Sequence, residues 1–215
     1  MSSRNKAKLR SLSPDAPDFV SVQQKWDGRY AAFDPQDRRE PVPFVKQCLP
    51  RLPVTGRALD VAAGAGRHSV VLAQHGLQVD AVDISWQGLR LARQRALEAN
   101  FGSEQIRFIV ANIEQTWLPY ENYDVILVTF FLHRPLFPLI KRRLLPGGWL
   151  VYQTFTNEPG ASAVPKPSSP DFLLNPGELE TAFADFEILI YAERDYRGYP
   201  TAQLFARKPA SAGYL

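Results

Sequence analysis

The chain has 215 residues, 45% of them apolar and 22% charged, which suits one folded domain with a single substantial core. A net charge of +3 excludes an overall polyelectrolyte made for nucleic acid, and the absence of any apolar run near ~20 residues excludes a membrane-spanning helix. One cysteine, Cys48, rules out an internal disulfide and suits a reducing, cytoplasmic setting.

Residues 1–17 carry Arg4, Lys6, Lys8 and Arg10 without apolar periodicity, so a flexible basic tail is expected ahead of a single domain at 18–215. No apolar segment follows these basic residues, so no secretory signal is expected. From Asp18, a candidate N-cap, the residues Phe19, Val22, Trp26 and Tyr30 recur at helical spacing. Such an aromatic stripe reads as core, or alternatively as a cover over a ligand. Residues 34–43 are polar and proline-rich, hence a loop, and 43–52 predicts a short helix with Cys48 buried.

The stretch 57–85 organises the rest. Ala58, Leu59 and Val61 predict a buried strand with Asp60 near its end, and Gly64 and Gly66 allow a sharp turn with close backbone approach. A helix follows from Arg67 and ends near Gly76; residues 77–82 predict a second strand, and Asp83 stands at its carboxyl end. Strand, glycine turn, helix, strand and acid make up the first half of a nucleotide-binding α/β unit, with the cofactor still open.

Ser85 can cap a helix running to about Asn100, with Leu89, Ala92, Ala96 and Leu97 facing inward. Strands are predicted at 106–110, 123–128 and 149–155, with a helix over 135–145 closed by Lys141, Arg142 and Arg143. Residues 157–176 hold five prolines and predict a long loop, expected to act as a lid together with the 19–30 helix. A short helix at 178–183 precedes a closing hairpin, 186–192 with 201–207, joined through 193–200. Repeated βα units ending in a hairpin predict an α/β fold, a mainly parallel sheet with helices on both faces and an antiparallel edge.

Residues 60–66, DVAAGAG, resemble the D-x-G-x-G-x-G motif of class I S-adenosylmethionine (SAM)-dependent methyltransferases, and the likeness covers roughly 20–208. It implies a Rossmann-like, seven-stranded sheet with an antiparallel edge strand, and SAM as cofactor. It also implies cofactor contacts from Asp60, Ala62, Gly64, Gly66, Arg67, Asp83, Ile84, Asn112, Ile113 and Thr129, with Asp83 on the ribose hydroxyls and Asn112 and Ile113 on the adenine. Two positions depart from the family pattern: Ala62 replaces the first glycine and Asn112 replaces the usual acid. Neither change removes a required charge, because the Asn112 amide oxygen still accepts from an adenine N–H. The rival dinucleotide fingerprint needs Gly or Ala where Ser69 stands, and the acid Asp60 would repel a pyrophosphate.

The segment 129–134, TFFLHR, follows the fourth strand, where that family presents the methyl acceptor. It lacks the [D/N]-P-P-Y pattern of amino-group methylation, and no Pro-Cys pair serves attack on a pyrimidine carbon. Residues 25–30, KWDGRY, with 64–69, GAGRHS, and 173–179, LLNPGEL, resemble the tellurite-resistance and related small-molecule methyltransferases. The expected acceptor is therefore a small molecule with a soft chalcogen, thiol or oxyanion nucleophile. Tyr30, Thr129, His133 and Arg134 are the catalytic candidates, with Arg134 to pair an anionic substrate and His133 to take a proton. Alternatives are RNA or protein as substrate, or a non-catalytic SAM-binding protein. Three scattered histidines and one cysteine make no metal site. The chain is expected to be a monomer or weak homodimer, with neither nucleic acid nor a membrane as partner.

Overall fold

A computed structural model describes residues 19–32, 40–115, 118–119, 122–157 and 170–210. The basic tail, the Asp18 cap, most of the 34–43 loop and residues 158–169 of the expected lid lie outside the described residues. Seven strands form one sheet in the order β3-β2-β1-β4-β5-β7-β6. In chain order these are β1 (Arg57–Val61), β2 (Gln78–Asp83), β3 (Ile106–Val110), β4 (Tyr123–Thr129), β5 (Leu144–Phe155), β6 (Glu187–Tyr196) and β7 (Tyr199–Arg207). The first five run parallel, and β7 pairs antiparallel with both β5 and β6, so the antiparallel edge is a pair of strands.

Period-two alternation assigns side chains to two cores. Leu59 and Val61 of β1, Ile126 and Val128 of β4 and Leu150 and Tyr152 of β5 face one layer. There they meet α5 (Phe137–Arg143) and α6 (Glu178–Ala182) through Phe137, Leu139, Ile140 and Leu179. Ala58, Val125, Leu127, Val151 and Phe205 face the other layer. That layer packs on α2 (Pro43–Cys48) and α3 (Arg67–Gln74), while α4 (Trp86–Glu98) adds Ala96. Cys48 is fully enclosed here, and burial pushes its thiol up to about 12, so it is an inert apolar residue.

Three predicted details shift. The hairpin connection expected over 193–200 is only the turn at Arg197 and Gly198, because Asp195 pairs with Pro200 and Tyr196 with Tyr199. The charged residues Glu193, Arg194 and Asp195 looked loop-like, yet they lie on an edge strand where charge is tolerated. The helix over 135–145 is shorter, since Leu144 already pairs with Tyr123 and β5 starts there with a register shift. Leu97 is 58% exposed rather than inward, one position past the face that Ala92 and Ala96 bury.

Of the two readings of α1 (Phe19–Ala31), core or cover, its packing favours the second. None of its residues is buried, and Trp26 is 37% exposed, so its aromatic stripe is not core. The helix lies on α4 outside the sheet and is fastened by polar contacts. Gln23 Nε2 donates to the Ile84 carbonyl (3.0 Å), and Asp27 Oδ1 accepts from Ser85 Oγ (2.6 Å) and Gln87 N–H (3.0 Å). Among the described residues no helix is long and apolar enough to cross a membrane.

Candidate functional site

The site forms at the carboxyl ends of β1, β2 and β4, where adjacent parallel strands feed loops in opposite directions. After β1 the chain must reverse at once to start α3. Ala62 takes a left-handed φ of 57°, so it copies the conformation a glycine would adopt there, at about 1 kcal/mol of strain. Gly64 and Gly66 also lie at positive φ, but for different steric reasons. A Cβ on Gly66 would stand 2.6 Å from the Cβ of Ala92, so that glycine permits α3 to pack on α4. A Cβ on Gly64 would collide with the Tyr30 hydroxyl. Tyr30 therefore lies across the glycine loop, where α1 covers it.

Asp83 is 6% exposed and anchors the loop. Its Oδ2 accepts from Gly64 N–H (2.8 Å) and its Oδ1 from Ser85 N–H (2.7 Å). Burial raises its pKa; the hydrogen bonds from Ser85 and Gly64 oppose this, and the Asp27 charge adds to it. The Gly64 amide, which a dinucleotide site would aim at phosphate, is thus engaged by a carboxylate.

Asp60 is fully buried. Its Oδ2 accepts from Ser69 Oγ (2.6 Å), while Oδ1 is buried without a hydrogen-bond partner. Burial pushes this carboxyl up to about 7; Ser69 and Arg67 resist the rise, and the nearby Asp83 charge reinforces it. Asn112 uses Oδ1 to accept from Glu114 N–H (3.0 Å), which fixes the turn after β3 beside the buried Ile113.

On the β4 side, His68 is a residue whose role the motif did not specify. Its Nε2 accepts from Val42 N–H (3.2 Å), which leaves the neutral ring's proton on Nδ1, 3.1 Å from Thr129 Oγ1. Burial pushes His68 down to about 3, helped by Arg67 and Arg95, so the ring stays neutral and donates to Thr129. The Thr129 proton must then point elsewhere. His133 has a buried Nε2 without a partner, and burial lowers its pKa against the pull of Glu114.

Arg134 differs from expectation. Nε and Nη2 grip Glu178 (2.5 and 2.8 Å), Nη1 donates to the Asp171 carbonyl and Nη2 also to that of Leu173. The expected role on an anionic substrate gives way to a clamp on 171–178, because carboxylate and carbonyls already engage its donors. Arg67 sits over the Phe130 ring at 5.6 Å and donates to the Glu40 carbonyl. The structure thus brings Tyr30, Asp60, Ala62, Gly64, Asp83 and Ile84 around one loop, with Thr129 reached through His68. Gln23, Asp27 and His68 hold this assembly together. Only the acid within KWDGRY and the residue after Arg67 offered a signal for them, and neither showed its partner.

Do these residues fit SAM? The ligand carries an ammonium and a ribose diol, and both suit carboxylate acceptors. A buried Asp60 oxygen with no partner is the vacancy a cationic ammonium satisfies, and two buried acids would oppose a pyrophosphate. The residues fit.

Fold and site together define an α/β protein whose acid-flanked glycine loop, at the carboxyl edge of the sheet, fits a nucleoside cofactor. Residues 58–148 match the methyltransferase domain family. The chain is 34% identical over 115 residues to a demethylmenaquinone methyltransferase of Clavibacter sepedonicus, covering 50% of this chain and 44% of that one. It is 27% identical over 148 residues to a ubiquinone biosynthesis O-methyltransferase of Leptothrix cholodnii, covering 66% and 62%. The matches therefore span roughly half the length of these curated relatives. Among solved structures, TehB from Haemophilus influenzae superposes with a TM-score of 0.66 at 21% identity, covering 86% of this chain and 66% of that one. At that identity the likeness is one of fold.

Proposed function

We propose that the chain transfers a methyl group from SAM to a small-molecule nucleophile. The observation that carries this reading is the pair of buried acids, Asp60 and Asp83, on either side of a glycine loop, one of them with an unpartnered oxygen. SAM, when bound, would supply a methyl group on a sulfonium, so that an acceptor's lone pair bonds to that carbon as the carbon–sulfur bond breaks and a neutral thioether leaves. Asp60 would hold the ammonium; Asp83 would accept from the ribose while its backbone bonds keep the loop in place. Asn112 and Ile113 would border the adenine.

On the acceptor side much of the acceleration in an in-line displacement comes from alignment. Thr129, whose Oγ1 lies 3.1 Å from His68 Nδ1, would present its hydroxyl proton to that region. His133 is neutral near pH 7 and its unpartnered Nε2 is a base for an acceptor that must lose a proton. Tyr30 and α1 would close over the cofactor and exclude water, with Arg134 holding 171–178 on the opposite rim. An RNA or protein acceptor lacks comparable support, because Lys141 of the basic cluster is ion-paired with Asp185.

Calorimetry with SAM, S-adenosylhomocysteine and NAD tests the cofactor, and labelled methyl transfer to thiols, selenite, tellurite, phenols and bulk RNA tests the acceptor. Asp83→Ala should weaken S-adenosylhomocysteine binding about 100-fold, since a charge-assisted acceptor and the loop anchor are both lost. Binding of NAD instead, or near-native affinity in the variant, would refute the reading.

A further inference from the structure

Beside the glycine loop lies a second feature that the cofactor does not account for. Phe130, Phe155, Tyr196 and Tyr199 form a continuous chain of rings from three separate stretches: the end of β4, the end of β5 and the tip of the β6–β7 hairpin. Centroid separations are 5.2 Å for Phe130–Phe155, 5.5 Å for Phe130–Tyr196 and 5.6 Å for Phe155–Tyr199. None of the four is fully buried. Phe130 and Tyr196 pack with one side against the second core, and all four rings keep part of their surface in water at the ligand-binding edge of the open sheet.

Three observations point to a ligand. Phe130 is held at a φ of 53°, a left-handed conformation that strains a bulky side chain, and this sets its ring among the others. Gln153 is fully buried on the same strand face as Phe155, in register with Thr129. Its Nε2 donates to Thr201 Oγ1 (3.4 Å), but its Oε1 has no partner. Guanidinium groups rim the cluster, with Arg67 over Phe130 at 5.6 Å and Arg197 over Tyr196 at 5.5 Å. Asp195, the acid nearest that rim in sequence, is engaged by Gly198 N–H in the hairpin turn.

We infer that this cluster is the acceptor subsite and that it takes a planar aromatic ring bearing an acidic substituent and a hydrogen-bond donor. Ring faces supply stacking area, the guanidiniums favour the anion, and the Gln153 oxygen accepts from a hydroxyl or N–H on the ring. A bare oxyanion such as tellurite or selenite would leave the rings and Gln153 unused. The inference rests on the methyl-transfer reading for the word acceptor, while the ring subsite itself is a binding claim.

The test is equilibrium binding of 3-hydroxybenzoate, with cyclohexanecarboxylate as a non-planar acid of equal charge, selenite as the bare oxyanion, and S-adenosylhomocysteine titrated separately. The aromatic acid should bind about tenfold more tightly than the cyclohexane acid, one ring-stacking contribution. Tyr196→Leu should remove most of that advantage, Tyr196→Phe should keep it, and S-adenosylhomocysteine affinity should stay within about twofold in both, which also reports that they fold. Equal affinity for the two acids, tighter binding of selenite, or an undiminished preference in Tyr196→Leu would overturn the subsite. Ring preference without S-adenosylhomocysteine binding would instead strike the transfer reading and leave the subsite standing.

Discussion

Asp60 and Asp80 are both buried aspartates on adjacent central strands, yet their surroundings are opposite. Asp80 on β2 receives Arg107 Nε and Nη2 (2.8 and 2.7 Å), Arg57 Nη2 (3.2 Å) and the Tyr123 hydroxyl (2.7 Å). Burial pushes its carboxyl up, but hydrogen bonds from Arg107, Tyr123 and Arg57 outweigh this and hold it below the ordinary range. Asp60 on β1 has a serine for a partner and one oxygen without any, and burial carries it up to about 7. A buried charge whose needs are met inside the protein is architecture. One whose needs are unmet is prepared for something that is not part of the chain.

Substitution should separate the two. Asp80→Ala leaves two guanidiniums and a phenol without their acceptor and should lower stability by about 2–3 kcal/mol in urea denaturation, discounted because both arginines are partly in water. Its folded fraction should still bind S-adenosylhomocysteine normally. A large loss of that binding would remove the distinction.

Asp60→Asn should do the reverse, weakening S-adenosylhomocysteine about tenfold while raising ligand-free stability at pH 8 by roughly 1 kcal/mol or more. The sign follows from linkage. The folded chain keeps the Asp60 proton up to about pH 7, against a reference value of 3.8, so ligand-free stability is lost as pH rises between those values. His68 acts oppositely: held near 3 instead of 6.5, it costs stability as pH falls below 6.5. In the native chain the slopes partly cancel between about pH 4 and 6.5, and Asp60→Asn should expose the His68 slope alone. Urea midpoints from pH 4.5 to 8 read this directly, and identical profiles would contradict the burial argument.

The smallest effect belongs to Ala62. Replacing it with glycine relieves a left-handed alanine and should stabilise the fold by about 0.5–1 kcal/mol, offset in part by unfolded-chain entropy. A destabilised variant would mean that the methyl group packs more usefully than the strain costs.

The alternation of the strands, the cap of α4 and the glycine loop were legible because each depends on residues close together in the chain. Ser85, for example, caps α4 through Gly88 N–H as its position implied. The motif also located the buried acids Asp60 and Asp83. It could not reveal that Asp83 would engage Gly64 N–H, because that bond spans 19 residues and depends on strand register. The partner of Arg134 was hidden for the same reason: Glu178 is 44 residues away, and a charge near a site looks the same in sequence whether free or paired.

What the sequence by itself determined is the order of elements, the parallel α/β class and the cofactor loop, since hydrophobic period and local steric demands are written into neighbouring residues. Only the tertiary structure decided which buried groups lack partners, that α1 covers the loop instead of filling the core, and that rings from β4, β5 and the hairpin meet. Satisfaction and exposure are properties of the space around an atom, and that space is assembled by segments far apart in the chain.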